Sequence, residues 1–199
     1  VDVQKGFDDP IWGPRNNPDC EMNVFKLISA WRDQDWPVVF VRHDSTLPSS
    51  PLAPGGKGNE FKDVITGSPD LLVTKRVHSA FHGDPDLDGW LKGEGITGVA
   101  VCGIQTNMCC ETTARNASDL GYEMLFVEDA AHTFDIVTPT KKVYRAREIA
   151  RYTPLTLAAG FGRVVRTADL VDGRPTAPHE RCPWGLLVPG EVAINPRVR

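Results

Sequence analysis

Short apolar runs alternate along this chain with longer stretches whose apolar positions recur every three or four residues. The clearest instance is Val99 to Ala130. Val99-Ala-Val-Cys-Gly-Ile104 reads as a buried strand, Gln105-Thr-Asn-Met108 as a polar turn, and the stretch from Cys110 as a helix. Thr113, Ala114, Ala117 and Leu120 mark that helix's inner face, and Gly121 sits where a helix end takes a left-handed residue. Tyr122 to Val127 is then the next strand, so the unit is a strand–helix–strand crossover of the kind that joins parallel strands.

The same alternation extends to both sides. Asn17-Pro18 reads as the cap and first turn of a helix with Val24, Leu27, Ile28 and Trp31 on one face. Pro37 to Arg42 is a strand that delivers His43, and Asp70 to Thr74 a strand that ends at Lys75. Asp84-Pro85 reads as a second cap, before a helix that turns Leu87, Trp90 and Leu91 inward. Thr140 to Arg151 is a predicted helix, Leu155 to Ala159 a short one, and Gly162 to Arg166 the last strand. The opening Val1-Asp2-Val3-Gln4 is short for a strand, and residues ahead of it are expected.

Strands alternating with amphipathic helices predict an α/β fold of three layers, α/β/α, with a central, mostly parallel sheet. His43 to Lys62, rich in proline and glycine, reads as a lid or a subunit contact. A single domain over residues 1–172 is expected. Residues 173–199, where proline and glycine recur without periodicity, read as an extension that is either disordered or laid over a neighbouring subunit.

Composition excludes more than it assigns. The formal charge of −4 offers no basic footprint for nucleic acid or an anionic membrane. No apolar run approaches the ~20 residues needed to span a bilayer, and no stretch reads as a signal or transit peptide. Five cysteines (Cys20, Cys102, Cys109, Cys110 and Cys182) match neither a disulfide framework nor a C-x-x-C metal pair, which points to a reducing cytoplasm. No G-x-G-x-x-G opens a helix, so dinucleotide binding lacks its fingerprint.

In parallel sheets ligands bind beyond the carboxyl ends of the strands. Asp2, His43, Lys75 and Cys109 all fall at or just after such ends. Singly each has a plain alternative: Asp2 a turn carboxylate, Lys75 a solvated lysine, Cys109 a small buried hydrophobe. Cys109 also stands at a helix N-terminus, where free N–H groups would lower a thiol's pKa and receive an oxyanion.

These residues carry a resemblance. Asp2-Val-Gln-Lys-Gly-Phe7, Lys75 with Ser79-Ala80-Phe81, Gly103-Ile-Gln-Thr-Asn-Met-Cys109 followed by Thr113-Ala114, and Asp129-Ala130 together resemble the isochorismatase-like cysteine hydrolases, over roughly Val1 to Asp172. The resemblance implies a catalytic triad of Asp2, Lys75 and Cys109. It also implies a cis peptide before Gln105, with the N–H groups of Gln105 and Cys109 as oxyanion hole. Cys109 would attack an amide-type carbonyl of a small molecule to form a thioester, which water then hydrolyses.

Cys110 stands where the family generally has valine and reads as an apolar filler. His43 either orients substrate or caps the strand end; Phe7 and Trp12 either wall the pocket or belong to the core. The region after the second strand, Arg42-His-Asp-Ser-Thr-Leu-Pro48, lacks the histidines of the nicotinamidase branch, so neither metal nor other cofactor is expected. It is similar instead to the amide-hydrolase branch that includes streptothricin hydrolase. The rival functions are an isochorismatase-type vinyl ether hydrolase and a non-catalytic binding protein of the same fold. A homodimer or homotetramer is expected by the same resemblance.

Overall fold

The structure is a computed structural model that describes residues 1–171. The expected 173–199 extension and Cys182 lie outside the described residues. In chain order the elements are α1 (Cys20–Asp33), β1 (Val39–His43), β2 (Leu71–Lys75), α2 (Leu87–Gly93), β3 (Gly98–Ile104), α3 (Glu111–Asp119), β4 (Glu123–His132), β5 (Ile136–Val137), β6 (Val143–Tyr144), α4 (Ala146–Gly160), β7 (Arg163–Val165) and α5 (Thr167–Val171).

The sheet is parallel. β1 pairs with β2, and β3, β4 and β7 pair in that order. The opening segment lies between the two groups. Its Val1 N donates to Cys102 O and its Val1 O accepts from Ile104 N, while Asp2 N donates to Val41 O. Every one of these groups is thus satisfied by a neighbouring strand, and the order reads β2, β1, residues 1–3, β3, β4, β7. The chain reverses direction of travel across the sheet at the opening segment, which is where such sheets bind ligands.

Period-two alternation builds the layers. In β4, Val127 faces a core of Val24, Leu27 and Ile28 from α1, while Met124 and Phe126 face one of Leu87, Leu91, Ala114, Ala117 and Leu157. Helices α1 and α5 therefore cover one face and α2, α3 and α4 the other, the expected three-layer α/β/α arrangement. Among the described residues no helix is long and apolar enough to cross a membrane.

Three local expectations are corrected. The region 140–151 does not form one helix: Val143–Tyr144 pairs antiparallel with Ile136–Val137, and α4 then runs unbroken through Pro154 to Gly160. Its start is set by Glu148, whose carboxylate accepts from the Arg145 N–H. Asn17 does not cap α1, which begins at Cys20 with Asp19 in the cap position; its Nδ2 donates instead to the Asp129 and Ala131 carbonyls. Asp86, not Asp84, caps α2, accepting from Asp88 N at 3.1 Å; the Asp84 backbone is instead bonded to Thr74 in both directions. Gly121 does take the left-handed conformation, at φ +94°.

Candidate active site

The sheet edge brings four of the sequence-predicted groups, Asp2, His43, Lys75 and Cys109, into one cluster. Asp2 and Lys75 have no exposed side-chain surface, and Lys75 Nζ lies 2.6 Å from Asp2 Oδ2. The nearest ligand-type atoms of Asp2, His43 and Cys109 all lie within 4.8 Å of one another. Different elements deliver them. Asp2 turns away from the sheet at φ +52°, a conformation that aspartate tolerates better than most residues. Lys75 ends β2 and stands in register with His43 at the end of β1. Cys109 sits on one wide π-type turn, Thr106–Cys110, between β3 and α3.

The glycine of the nucleophile motif has a specific task here. At Gly103, φ is +126°, and a Cβ there would fall on the Val1 carbonyl oxygen. Only glycine lets the opening segment lie this close to β3, so Gly103 sets the position of Asp2. The peptide between Ile104 and Gln105 is cis, as the resemblance implies.

Burial dominates the electrostatics of the thiol. Burial, then the Asp2 carboxylate, push the Cys109 thiol up to about 12, with the Lys75 ammonium opposing them. Desolvation disfavours the thiolate, and the helix N-terminus opposes it with a dipole contribution of about 1 kcal/mol or less. Lys75 behaves oppositely. Burial alone would lower it, but the Asp2 carboxylate and Cys109 outweigh burial and raise it above its ordinary value. The resting site therefore holds a neutral thiol beside an ammonium–carboxylate pair. Asp2 Oδ1 is buried with no hydrogen-bond partner among the described residues, and so is Thr106 Oγ1.

Asp2, His43 and Cys109 have the chemistry of a metal donor set. A metal does not fit here, because the Lys75 ammonium already bridges Asp2 (2.6 Å) and His43 Nδ1 (3.3 Å). Two cations would share one cavity.

Phe7 and Trp12 come together with each other and with Phe134, ring centroids 5.1–6.1 Å apart. Phe7 is buried among Val3, Cys20 and Val24, while Trp12 is half-buried and donates from Nε1 to the Gly6 carbonyl. Gln105 lies at the mouth of the nucleophile turn, its carbonyl accepting from the N–H groups of Met108 and Cys110. Cys110 is fully buried on the other side of the sheet, against Ala114 and Leu157.

Several supporting residues have a role that the sequence does not assign. Thr113 Oγ1 accepts from Ala80 N, and Ser79 Oγ from Phe81 N, so the two motifs that carry Lys75 and Cys109 are stitched to each other. Gln4 and Asn59 both hold the His43 carbonyl. Spacing could not have revealed them, since each acts across 16 to 39 residues of chain.

The isochorismatase domain matches residues 1–160. An uncharacterized isochorismatase family protein of Bacillus subtilis, YrdC, is 34% identical over 173 residues, 86% of this chain and 92% of its own length. Streptothricin hydrolase of Streptomyces noursei is 32% identical over 139 residues, 68% of this chain and 49% of its own. A solved isochorismatase-family structure from Chromobacterium violaceum superposes with a TM-score of 0.80 at 33% identity, covering 86% of this chain and 89% of that one. Sequence, domain and fold agree over the same stretch that carries the buried cluster, and the chain belongs to the isochorismatase family of hydrolases.

Proposed function

We propose that this protein hydrolyses a C–N bond of a small-molecule amide through a thioester on Cys109. The observation that carries the proposal is the fully buried Asp2–Lys75 pair standing against the thiol, with Asp2 Oδ1 left open. A neutral thiol needs a base within reach, and the open carboxylate oxygen is that base. Its similarity to streptothricin hydrolase, a named hydrolase of the same family, supports a small-molecule substrate.

In the first half-reaction Cys109 Sγ bonds to the amide carbonyl carbon while its proton passes to Asp2 Oδ1. The N–H groups of Gln105 and Cys109 receive the resulting oxyanion, which is where fixed dipoles contribute most. Collapse breaks the C–N bond, and the proton on Asp2 goes to the departing nitrogen. In the second half-reaction Asp2 takes a proton from water, whose oxygen attacks the thioester; the C–S bond breaks and the thiol recovers its proton. Lys75 stays charged throughout and keeps its hydrogen bond to Asp2 Oδ2 between transfers.

The test is intact-mass spectrometry of protein quenched seconds after mixing with pooled small amides and esters. An acyl adduct present on the wild type and lost in Cys109→Ala is expected, and its mass identifies the acyl group. An adduct that survives in Cys109→Ala, or product formation without Cys109, would refute the thioester route. The latter result is what a vinyl ether hydrolase of the same fold would give.

A further inference from the structure

We infer that His43 is a positioning residue whose neutral ring, clamped by Gln4, supplies an acceptor that holds the Lys75 ammonium between Asp2 and Cys109. The inference rests on the triad proposed above and adds a fourth member that touches the lysine rather than the substrate.

An ammonium carries three donors and no acceptor. Lys75 has no exposed side-chain surface, so each N–H needs a protein partner or costs its desolvation. Asp2 Oδ2 takes one at 2.6 Å, and Cys109 is close enough to raise the lysine's pKa. His43 Nδ1 lies 3.3 Å from Nζ and takes a second. Because the ammonium can only donate, Nδ1 must bear a lone pair. The ring is therefore neutral, with its hydrogen on Nε2.

The backbone explains why the ring stands there. His43 and Lys75 are register partners on adjacent parallel strands, so both side chains leave the same edge side by side. At the end of β1 the His43 N–H donates to Gln4 Oε1 at 2.8 Å, and its carbonyl accepts from Gln4 Nε2 at 3.0 Å. One side-chain amide thereby makes both hydrogen bonds that a further strand residue would make. Gln4 is itself fully buried, and Asn59 Nδ2 adds a second bond to the same carbonyl at 3.1 Å. The glutamine of the opening motif thus aims His43, which in turn aims Lys75.

Four charged or titratable groups face the ring: Lys75 from β2, Asp2 from the opening segment, His78 from the loop after β2, and Cys109 from the π-type turn. Burial first, then Lys75, push the imidazole below its ordinary 6.5, with Asp2 opposing. The sign follows. At neutral pH the ring is a lone-pair acceptor; once protonated it loses that role and sets a second cation 3.3 Å from the ammonium. An acid limb below about 6.5 in the acylation rate belongs to His43.

The experiment follows p-nitrophenol release from p-nitrophenyl acetate across the acid-to-neutral range, with acylation of the Cys109 peptide checked by mass. Wild type, Cys109→Ala, His43→Asn and His43→Leu are compared, and each is melted. His43→Leu is expected to acylate about 10- to 100-fold more slowly, the scale of one lost hydrogen bond to a charge. His43→Asn, whose Oδ1 replaces Nδ1 as acceptor, is expected to recover most of that rate and to lose the wild-type acid limb. Folded His43→Leu with the wild-type rate, equal loss in Asn and Leu variants, or an unchanged acid limb in His43→Asn would each overturn the inference. Release that is undiminished in Cys109→Ala instead overturns the thioester reading beneath it, and the two failures are told apart by the Cys109 peptide.

Discussion

Replacing Lys75 by methionine keeps the length of the side chain and removes its charge, leaving the Asp2 carboxylate alone in the interior. Both members of the pair are fully buried, and Asp2 Oδ1 has no other partner among the described residues. The loss therefore falls in the range for breaking a buried ion pair, about 3–5 kcal/mol. At roughly 2–4 °C per kcal/mol for a chain of this size, the melting temperature should fall by about 6–20 °C. The double variant Asp2→Asn/Lys75→Met removes both charges. Asparagine also tolerates the φ of +52° at position 2, so the double variant should regain more than half of that loss. Its acylation should remain absent, since base and cation are both gone. Thermal melts by circular dichroism give the stabilities, and the p-nitrophenyl acetate assay the chemistry. If Lys75→Met melted within about 2 °C of wild type, or the double variant were less stable than the single one, the pair would not be the buried, mutually compensating unit described here.

Gly103→Ala should displace the opening segment, because the added methyl meets the Val1 carbonyl; a loss of about 2–4 kcal/mol in urea denaturation, together with loss of acylation, is expected. Thr113→Val strips the acceptor from the buried Ala80 N–H and should cost about 1–3 kcal/mol by the same measurement. His132, fully buried, is lowered to about 3 from 6.5 by burial and then by Arg15. Its folded pKa is depressed, so the unfolded chain takes up the proton first. The stabilisation is whole above pH 6.5 and is lost at about 1.4 kcal/mol per pH unit on the way down to about 3. Melts between pH 6.5 and about 5, above the range in which Glu21 (lowered to about 2) contributes, should fall by about 4–8 °C more in wild type than in His132→Leu, where His43 still titrates; parallel curves would refute the assignment.

Strand and helix positions were legible because burial leaves its period in the chain. The strands expected over Val99–Ile104 and Asp70–Thr74 form within a residue of those bounds, and Leu87 and Leu91 face the core. The helix at 140–151 failed, because an antiparallel hairpin arm at Val143–Tyr144 draws its bonds from Ile136–Val137, a partner that local periodicity does not report. Asn17 and Asp84 missed as caps because each helix starts about one turn later, with Asp19 and Asp86 at the cap positions, while tertiary partners in β4 and β2 hold the Asn17 amide and the Asp84 backbone.

Alone, the sequence determined which residue types reach the sheet edge, since strand length and turn position decide that locally. Asp2, Lys75 and Cys109 arrive there by chain order alone. Tertiary structure decided their charges. The thiol lies high because it is desolvated beside a carboxylate, and the lysine stays protonated because that carboxylate and the thiol outweigh its own burial. Likewise only the fold turns Gln4 into a clamp on His43, and His43 into a partner of Lys75, across 39 and 32 residues of chain. Hydrogen bonding and desolvation depend on distances between segments, and those distances exist only after the sheet has assembled.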